Sequence, residues 1–308
     1  MSAEPRLPAA PTPAELDELQ GQPERWIGVA RTLAARYSPA PVRAAGTSTV
    51  LVGLVGGELV LKLYAPFLRD HFAFERAMLA HLHGRLTLPT PRLIDSGEHQ
   101  GWPFLVLTQL PGVTLDTVWP TLTGPERLAA LRTIGRTAAE VHTLPVSPIA
   151  AFAPPWPAFL QQQRERCHAR QQRTGLPPHL LAQLASFLEG PVPDGPDVIL
   201  TGEYTPFNLL WRAGEGAGAV SAMFDFGDGL VGPRAYDWLG PLVFLAAGQP
   251  ARVSALFEGY GIPPPHEQRE ALLRLMLLHR YSNLQAQIAL PGWQQAPDFP
   301  ALAALIWP

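Results

Sequence analysis

Apolar positions change period along the chain, and the change divides it in two. PERWIGVARTLAARYS (23–38) places Trp26, Val29, Leu33 and Tyr37 at helical spacing, with Pro23 suited to a first turn. STVLVGLVGGELVLKLYA (48–65) instead forms two β-rich runs broken by Gly56-Gly57, which predicts a hairpin. HFAFERAMLAHLHG (71–84) predicts an amphipathic helix ended by Gly84, and 91–110 two more strands around a Gly-containing turn. From there the helical period dominates, with predicted helices at 124–144, around 156–173 and around 178–189, and mostly helix beyond about 236. Two strand-like runs, 197–211 and 219–229, interrupt them and carry polar residues at their ends. The Pro/Ala-rich residues 1 to about 22 read as a loose arm, and no repeat of solenoid length is present.

A strand-rich N-terminal part followed by a helix-rich C-terminal part predicts an α+β chain in two lobes. The expected boundary lies near Leu110-Pro111-Gly112, giving domains 1–110 and 111–308, with a cleft between them as a natural ligand site.

Composition narrows the function classes. With 47% hydrophobic and 16% charged residues the 308-residue chain is globular rather than disordered. A net charge of -3 argues against nucleic acid as a partner. No apolar run reaches the roughly 18 residues of a membrane span, so no membrane partner is expected. The N-terminus lacks the apolar stretch of a signal peptide, and the single cysteine, Cys167, excludes an internal disulfide; a cytoplasmic location is expected. Of 23 basic residues all but Lys62 are arginine. A site that needs a compact point charge would resist exchange for the larger, planar guanidinium.

Lys62 lies on a predicted strand, with Leu61 and Leu63 facing one way and Val60, Lys62 and Tyr64 the other. The preceding AAGTSTV (44–50) contains Gly46 and small residues that would let backbone amides approach phosphate. Glu75, on the next helix, is placed to pair with Lys62, although an exposed helix glutamate has the same local sequence. Further on, Asn208 and Asp225 end apolar runs, and one amide with one carboxylate suits Mg²⁺ shared with nucleotide phosphates. An Asx-type turn is the alternative for Asp225. Glu203, five positions before Asn208, is the candidate general base. His142 is expected to pack, Asp228 to cap the following turn, and Cys167 to lie among solvated arginines.

The ordered set resembles the aminoglycoside phosphotransferase and choline-kinase-like family, relatives of protein kinases. That family's H-G-D-x-x-x-x-N loop is similar to T-G-E-Y-T-P-F-N (201–208), its metal segment to M-F-D-F-G-D (223–228), and its tyrosine-aspartate pair to G-P-R-A-Y-D-W (232–238). GRTAAEVHTLP (135–145) and FLVLTQLPG (104–112) extend the likeness, which runs from about residue 40 to about 245. The resemblance implies a protein-kinase-like fold binding ATP and Mg²⁺, with the backbone around Thr108 to Leu110 bonding adenine and Asp237 supporting the loop. It implies phosphoryl transfer to a hydroxyl of a small molecule; a nucleotide-binding pseudokinase and a nucleotidyl transferase stay open as alternatives. The departures are Thr201 for the loop histidine and Glu203 for the catalytic aspartate. Arg164, Arg166, Arg170 and Arg173 argue against a polycationic aminoglycoside as acceptor, and Arg280 and Tyr281, in an apparent helix at 279–288, are candidates to line the substrate site.

Overall fold

The computed structural model describes residues 6–46, 48–202, 204–214 and 217–308. They form two compact units: one runs up to Arg85 and includes Pro89–Pro111, and the other comprises Leu86–Leu88 and Gly112–Pro308.

The first unit is built on five antiparallel strands in the order β1-β2-β3-β5-β4. These are β1 (Val42–Ala44), β2 (Leu51–Val55), β3 (Leu59–Leu63), β4 (Leu93–His99) and β5 (Trp102–Thr108). The predicted hairpin joins β2 to β3. Gly56 takes φ +59° there, and a Cβ on it would lie 2.5 Å from Ala40 Cβ, so both conformation and space require glycine. Strand β3 is central, not an edge. Leu61 and Leu63 stand opposite Val106 and Phe104, and that face joins a core with Leu16, Leu19, Val29 and Leu33 of helices α1 (Pro13–Gly21) and α2 (Ile27–Ala34). The alternation sends Lys62 to the opposite face, beside Leu105 and toward α3 (Arg69–Leu82).

Helix α1 corrects the expectation of a loose arm. Thr12 Oγ1 accepts from the Glu15 amide, and Glu15 Oε2 accepts from the Thr12 amide at 2.6 Å, a reciprocal cap that starts the helix. Leu7, Leu16 and Leu19 are then buried in the core, and the Trp102 indole donates to the Pro8 carbonyl at 2.8 Å. Proline-rich composition hid a T-P-A-E start signal.

The second unit is mainly helical. Its short strands are β6 (Val113–Thr114), β7 (Asp197–Leu200), β8 (Leu209–Arg212), β9 (Ala219–Met223) and β10 (Leu230–Pro233), paired as β6-β8-β9 and β10-β7. Its helices are α4 (Leu115–Val118), α5 (Gly124–His142), α6 (Ser147–Ala150), α7 (Trp156–Arg173), α8 (Pro178–Leu181), α9 (Leu184–Leu188), α10 (Ala235–Phe244), α11 (Pro250–Tyr260), α12 (Arg269–Leu278), α13 (Leu284–Gln287) and α14 (Phe299–Ile306). The single helix expected at 178–189 is broken into α8 and α9, and the one at 279–288 begins only at Leu284. Helices α5 and α11 cross in close contact: a Cβ on Gly135 would lie 2.0 Å from the Leu256 carbonyl oxygen, and one on Gly259 2.1 Å from that of Arg132. Two glycines therefore set how near the helices approach. Among the described residues no helix is long and apolar enough to cross a membrane.

If α1 belongs to the core, Leu19→Ala will destabilise the protein by about 2–4 kcal/mol, the usual range for a buried leucine. Urea unfolding followed by tryptophan fluorescence measures this; an unchanged midpoint would restore the loose arm.

Candidate active site

In the first unit, Lys62 and Glu75 meet. Lys62 Nζ donates to Glu75 Oε1 at 2.6 Å, and the Tyr64 hydroxyl donates to Glu75 Oε2. Lys62 is 6% exposed and Glu75 1%. The alternative of an exposed helix glutamate is thereby excluded. Tyr64 was not singled out in the sequence as a site residue, although it sits two positions along the strand on the same face as Lys62. Isosteric apolar replacement of such a pair is often neutral or stabilising, whereas removing one partner costs about 3–5 kcal/mol. Stability alone therefore does not account for a charged pair at the centre of a sheet.

Gly46 lies just beyond β1, exposed, with open space where a Cβ would stand. At the end of β5, the Thr108 amide donates to Arg92 O at 3.0 Å and the Gln109 amide to Glu58 O at 2.7 Å. Of the amides of Thr108, Gln109 and Leu110, that of Leu110 is the one without a protein acceptor among the described residues.

In the second unit, β8 and β9 bring Asn208 and Asp225 to adjoining chain ends. Leu209 pairs with Met223, and the Phe224 amide donates to Asn208 O at 3.0 Å, extending the ladder one step. Asp225 follows at φ +68°, a left-handed conformation uncommon outside glycine. An amide and a half-buried carboxylate at one sheet end fit the oxygen-ligand preference of Mg²⁺. Among the described residues no group of three or more His, Cys, Asp or Glu forms a metal cluster.

The loop between β7 and β8 is held from below by α10. The Asp237 carboxylate, 2% exposed, accepts from the Thr201 amide at 3.0 Å and the Gly202 amide at 2.7 Å. His142 Nε2 lies 3.1 Å from Asp237 Oδ2 and its Nδ1 2.7 Å from the Tyr260 hydroxyl, so this histidine packs and orients, as expected. Glu203 lies outside the described residues.

Other expectations change. Asp228 Oδ1 accepts from Arg280 Nη1 at 3.0 Å, a partner not expected from the sequence, and the Arg280 guanidinium lies 5.3 Å over Phe159. Burial opposes the Arg280 charge, but Tyr236, Asp228 and Tyr281 more than offset it and raise its pKa. Tyr281 is 43% exposed. Asn283 instead caps α13, its side chain accepting from the Ala286 amide at 3.2 Å. The α7 arginines are not all solvated: Arg170 is buried and donates to Gln163 Oε1 and Leu277 O, and Arg164 to Leu188 O. Cys167 is buried, and burial pushes its thiol up to about 11, so it is no nucleophile.

A profile described as "Phosphotransferase enzyme family" matches residues 38–273. The chain belongs to the phosphotransferase enzyme family. Solved structures agree on the fold. The GDP complex of aminoglycoside 2'-phosphotransferase-IIIa superposes with TM-score 0.69 at 15% identity, over 86% of this chain and 90% of that one. Macrolide 2'-phosphotransferase MphH from Brachybacterium faecium gives 0.58 at 21%, over 91% and 97%. Aminoglycoside phosphotransferase APH(3'')-Id from Streptomyces rimosus, with ADP and streptomycin, gives 0.59 at 18%, over 82% and 98%. The expected protein-kinase-like arrangement, a sheet-based N-terminal part and a helical C-terminal part, is thus the fold of this phosphotransferase family member.

One residue near the loop was missed in the sequence. His279 follows α12, stacks on Tyr236 with centroids 4.6 Å apart at 20°, and is depressed to a pKa of about 3 by burial and then by Arg280. Between its ordinary 6.5 and about 3, the unfolded chain binds a proton there that the folded chain does not. Stability should therefore fall as pH drops through that window. Urea midpoints measured from about pH 6.5 down to about 4 should fall more steeply for the natural chain than for His279→Phe; parallel slopes would remove His279 from the acid response.

Proposed function

We propose that this phosphotransferase family member is an ATP-dependent kinase that transfers a phosphoryl group to a hydroxyl of a small molecule. The observation that carries this reading is the buried Lys62–Glu75 pair, an ammonium fixed on a central strand where stability does not demand one. In this reading Glu75, braced by Tyr64, holds Lys62 toward the nucleotide phosphates, and the loop at Gly46 lets backbone amides approach them. The backbone from Thr108 to Leu110 meets the base, with the Leu110 amide as donor. Asn208 and Asp225 would hold Mg²⁺, which would supply positive charge to offset that of the nucleotide phosphates. Glu203 accepts the proton of the acceptor hydroxyl as the new O–P bond forms and the bond to the nucleotide breaks. Asp237 fixes the Thr201 and Gly202 amides, the two that precede Glu203 in the sequence.

Solved relatives support nucleotide as donor: one is described as a streptomycin-ATP ternary complex and another holds ADP with streptomycin. For this chain a polycationic acceptor is disfavoured. Asp228, beside the metal segment, has its charge met by Arg280, which together with exposed Tyr281 better suits a neutral or anionic hydroxyl compound. The α7 arginines bear less on this, because Arg164 and Arg170 are engaged by the protein's own oxygens.

ATP with Mg²⁺ should raise the melting temperature and be turned over with an acceptor from a panel of hydroxyl compounds. Lys62→Met/Glu75→Leu should fold yet lose the ATP-induced shift. Glu203→Gln should keep the shift and lose on the order of 100-fold or more in kcat, the scale of a missing general base. Absence of any effect of ATP or GTP on melting would overturn the proposal; a shift without turnover across the panel would reduce the protein to a nucleotide binder.

A further inference from the structure

Arginines that tie helix ends spend their charge on backbone oxygens: Arg164 donates to Leu188 O and Arg170 to Leu277 O. Arg280 is used differently. Among the described residues its guanidinium meets no carbonyl. Its Nη1 donates to Asp228 Oδ1 at 3.0 Å, and its plane lies over the Phe159 ring. That ring is itself held, 5% exposed, stacked on Trp156 at 5.5 Å and packed edge-on against Tyr236 at 5.8 Å. A ring fixes the plane of the cation and a carboxylate fixes its direction before any ligand arrives.

The contact with Asp228 uses one nitrogen and one oxygen. On the other side of the guanidinium, Nε is buried and has no hydrogen-bond partner. A charged donor left without an acceptor costs free energy, and a ligand oxygen set against it removes that cost. Nε and Nη2 together form the side-on fork that grips both oxygens of a carboxylate. The side chain keeps 19% of its surface exposed, so a ligand has an approach to this group.

The anchor of Arg280 sits within the candidate site. Asp228 follows Asp225 in a turn closed by the Gly229 amide, which donates to Phe226 O at 3.3 Å. The Asp228 carbonyl oxygen lies 3.0 Å from where a Cβ on Gly202 would stand, so this turn touches the loop between β7 and β8. Arg280 is pinned where the two segments adjoin.

We propose that Arg280 binds a carboxylate on the acceptor, so that the substrate is a hydroxy acid rather than a neutral polyol. The acceptor role rests on the reading of this protein as a small-molecule kinase; the anion site does not. A monoanion suits the site better than a phosphate dianion, because Asp228 already shares the single positive charge.

The test uses glycerate and gluconate, their uncharged amides, and glycerol 3-phosphate. Without nucleotide, the two acids should raise the melting temperature of the natural chain and the amides should not. With ATP and Mg²⁺, kcat/KM should be about 10-fold or more higher for an acid than for its amide, the scale of one hydrogen bond to a charged group. Arg280→Gln should abolish the acid-induced shift and raise KM for the acid by about 10-fold or more, with the ATP-induced shift kept. Arg280→Lys, which has the charge without the fork, should recover only part of the binding. Should Arg280→Gln fail to fold for want of a partner for Asp228, Arg280→Gln/Asp228→Asn takes its place under the same criteria. Amides that serve as well as acids, an acid effect that survives Arg280→Gln, a larger response to glycerol 3-phosphate than to glycerate, or no response to any acid would each overturn the proposal. An ATP-induced shift would then still stand for the kinase reading. An acid-induced shift that depends on Arg280, with no turnover, would keep the anion site and sink the kinase reading alone.

Discussion

A carboxylate withdrawn from water must be met by donors, or it will not stay charged. Each unit of this protein is arranged around one. In the first, Glu75 draws a lysine and a tyrosine from the same face of the central strand. In the second, Asp237 draws two consecutive backbone amides and a histidine. The two solutions differ in what they fix. Glu75 fixes a mobile side chain, whose charge then points in one direction. Asp237 fixes main chain, at the start of the loop between β7 and β8.

How much of this was legible depended on the range over which each signal acts. The β2–β3 hairpin, α3, α5 and α7 follow from local periodicity and from glycines at their ends, and the structure keeps them close to where the pattern puts them. The Lys62–Glu75 pair was legible because strand and helix adjoin in sequence. By contrast, Asp228 and Arg280 lie 52 residues apart, and nothing near either announces the other. His279 was hidden for a related reason. Residues 279–288 imitate helical spacing, but the chain turns out of α12 at Leu278, and that turn carries the ring back onto Tyr236. Helix α1 was missed on composition: prolines outweighed a four-residue start signal.

The excess of arginine over lysine also has a structural side. Arg164 donates to Leu188 O at the end of α9, Arg170 to Leu277 O in the last turn of α12, and Arg252 to Leu245 O just past α10. Arg274 reaches Phe187 O and Pro191 O, and Arg127 reaches Trp119 O and Pro120 O. Helix C-termini leave carbonyls without intrahelical donors, and the forked guanidinium can serve several at once where an ammonium presents a single compact charge. In this second unit arginine ties helix ends to their neighbours, so the sign of the local charge says less about ligands than the count of basic residues suggests.

The chain has one lysine side chain and one thiol, and the fold buries both, Lys62 in the first unit and Cys167 in the second. Amine acylation at Lys62 and alkylation at Cys167 therefore each require a local opening, and each reports on a different unit. The protein carries two chemically orthogonal, single-position gauges of its own breathing, without an engineered label.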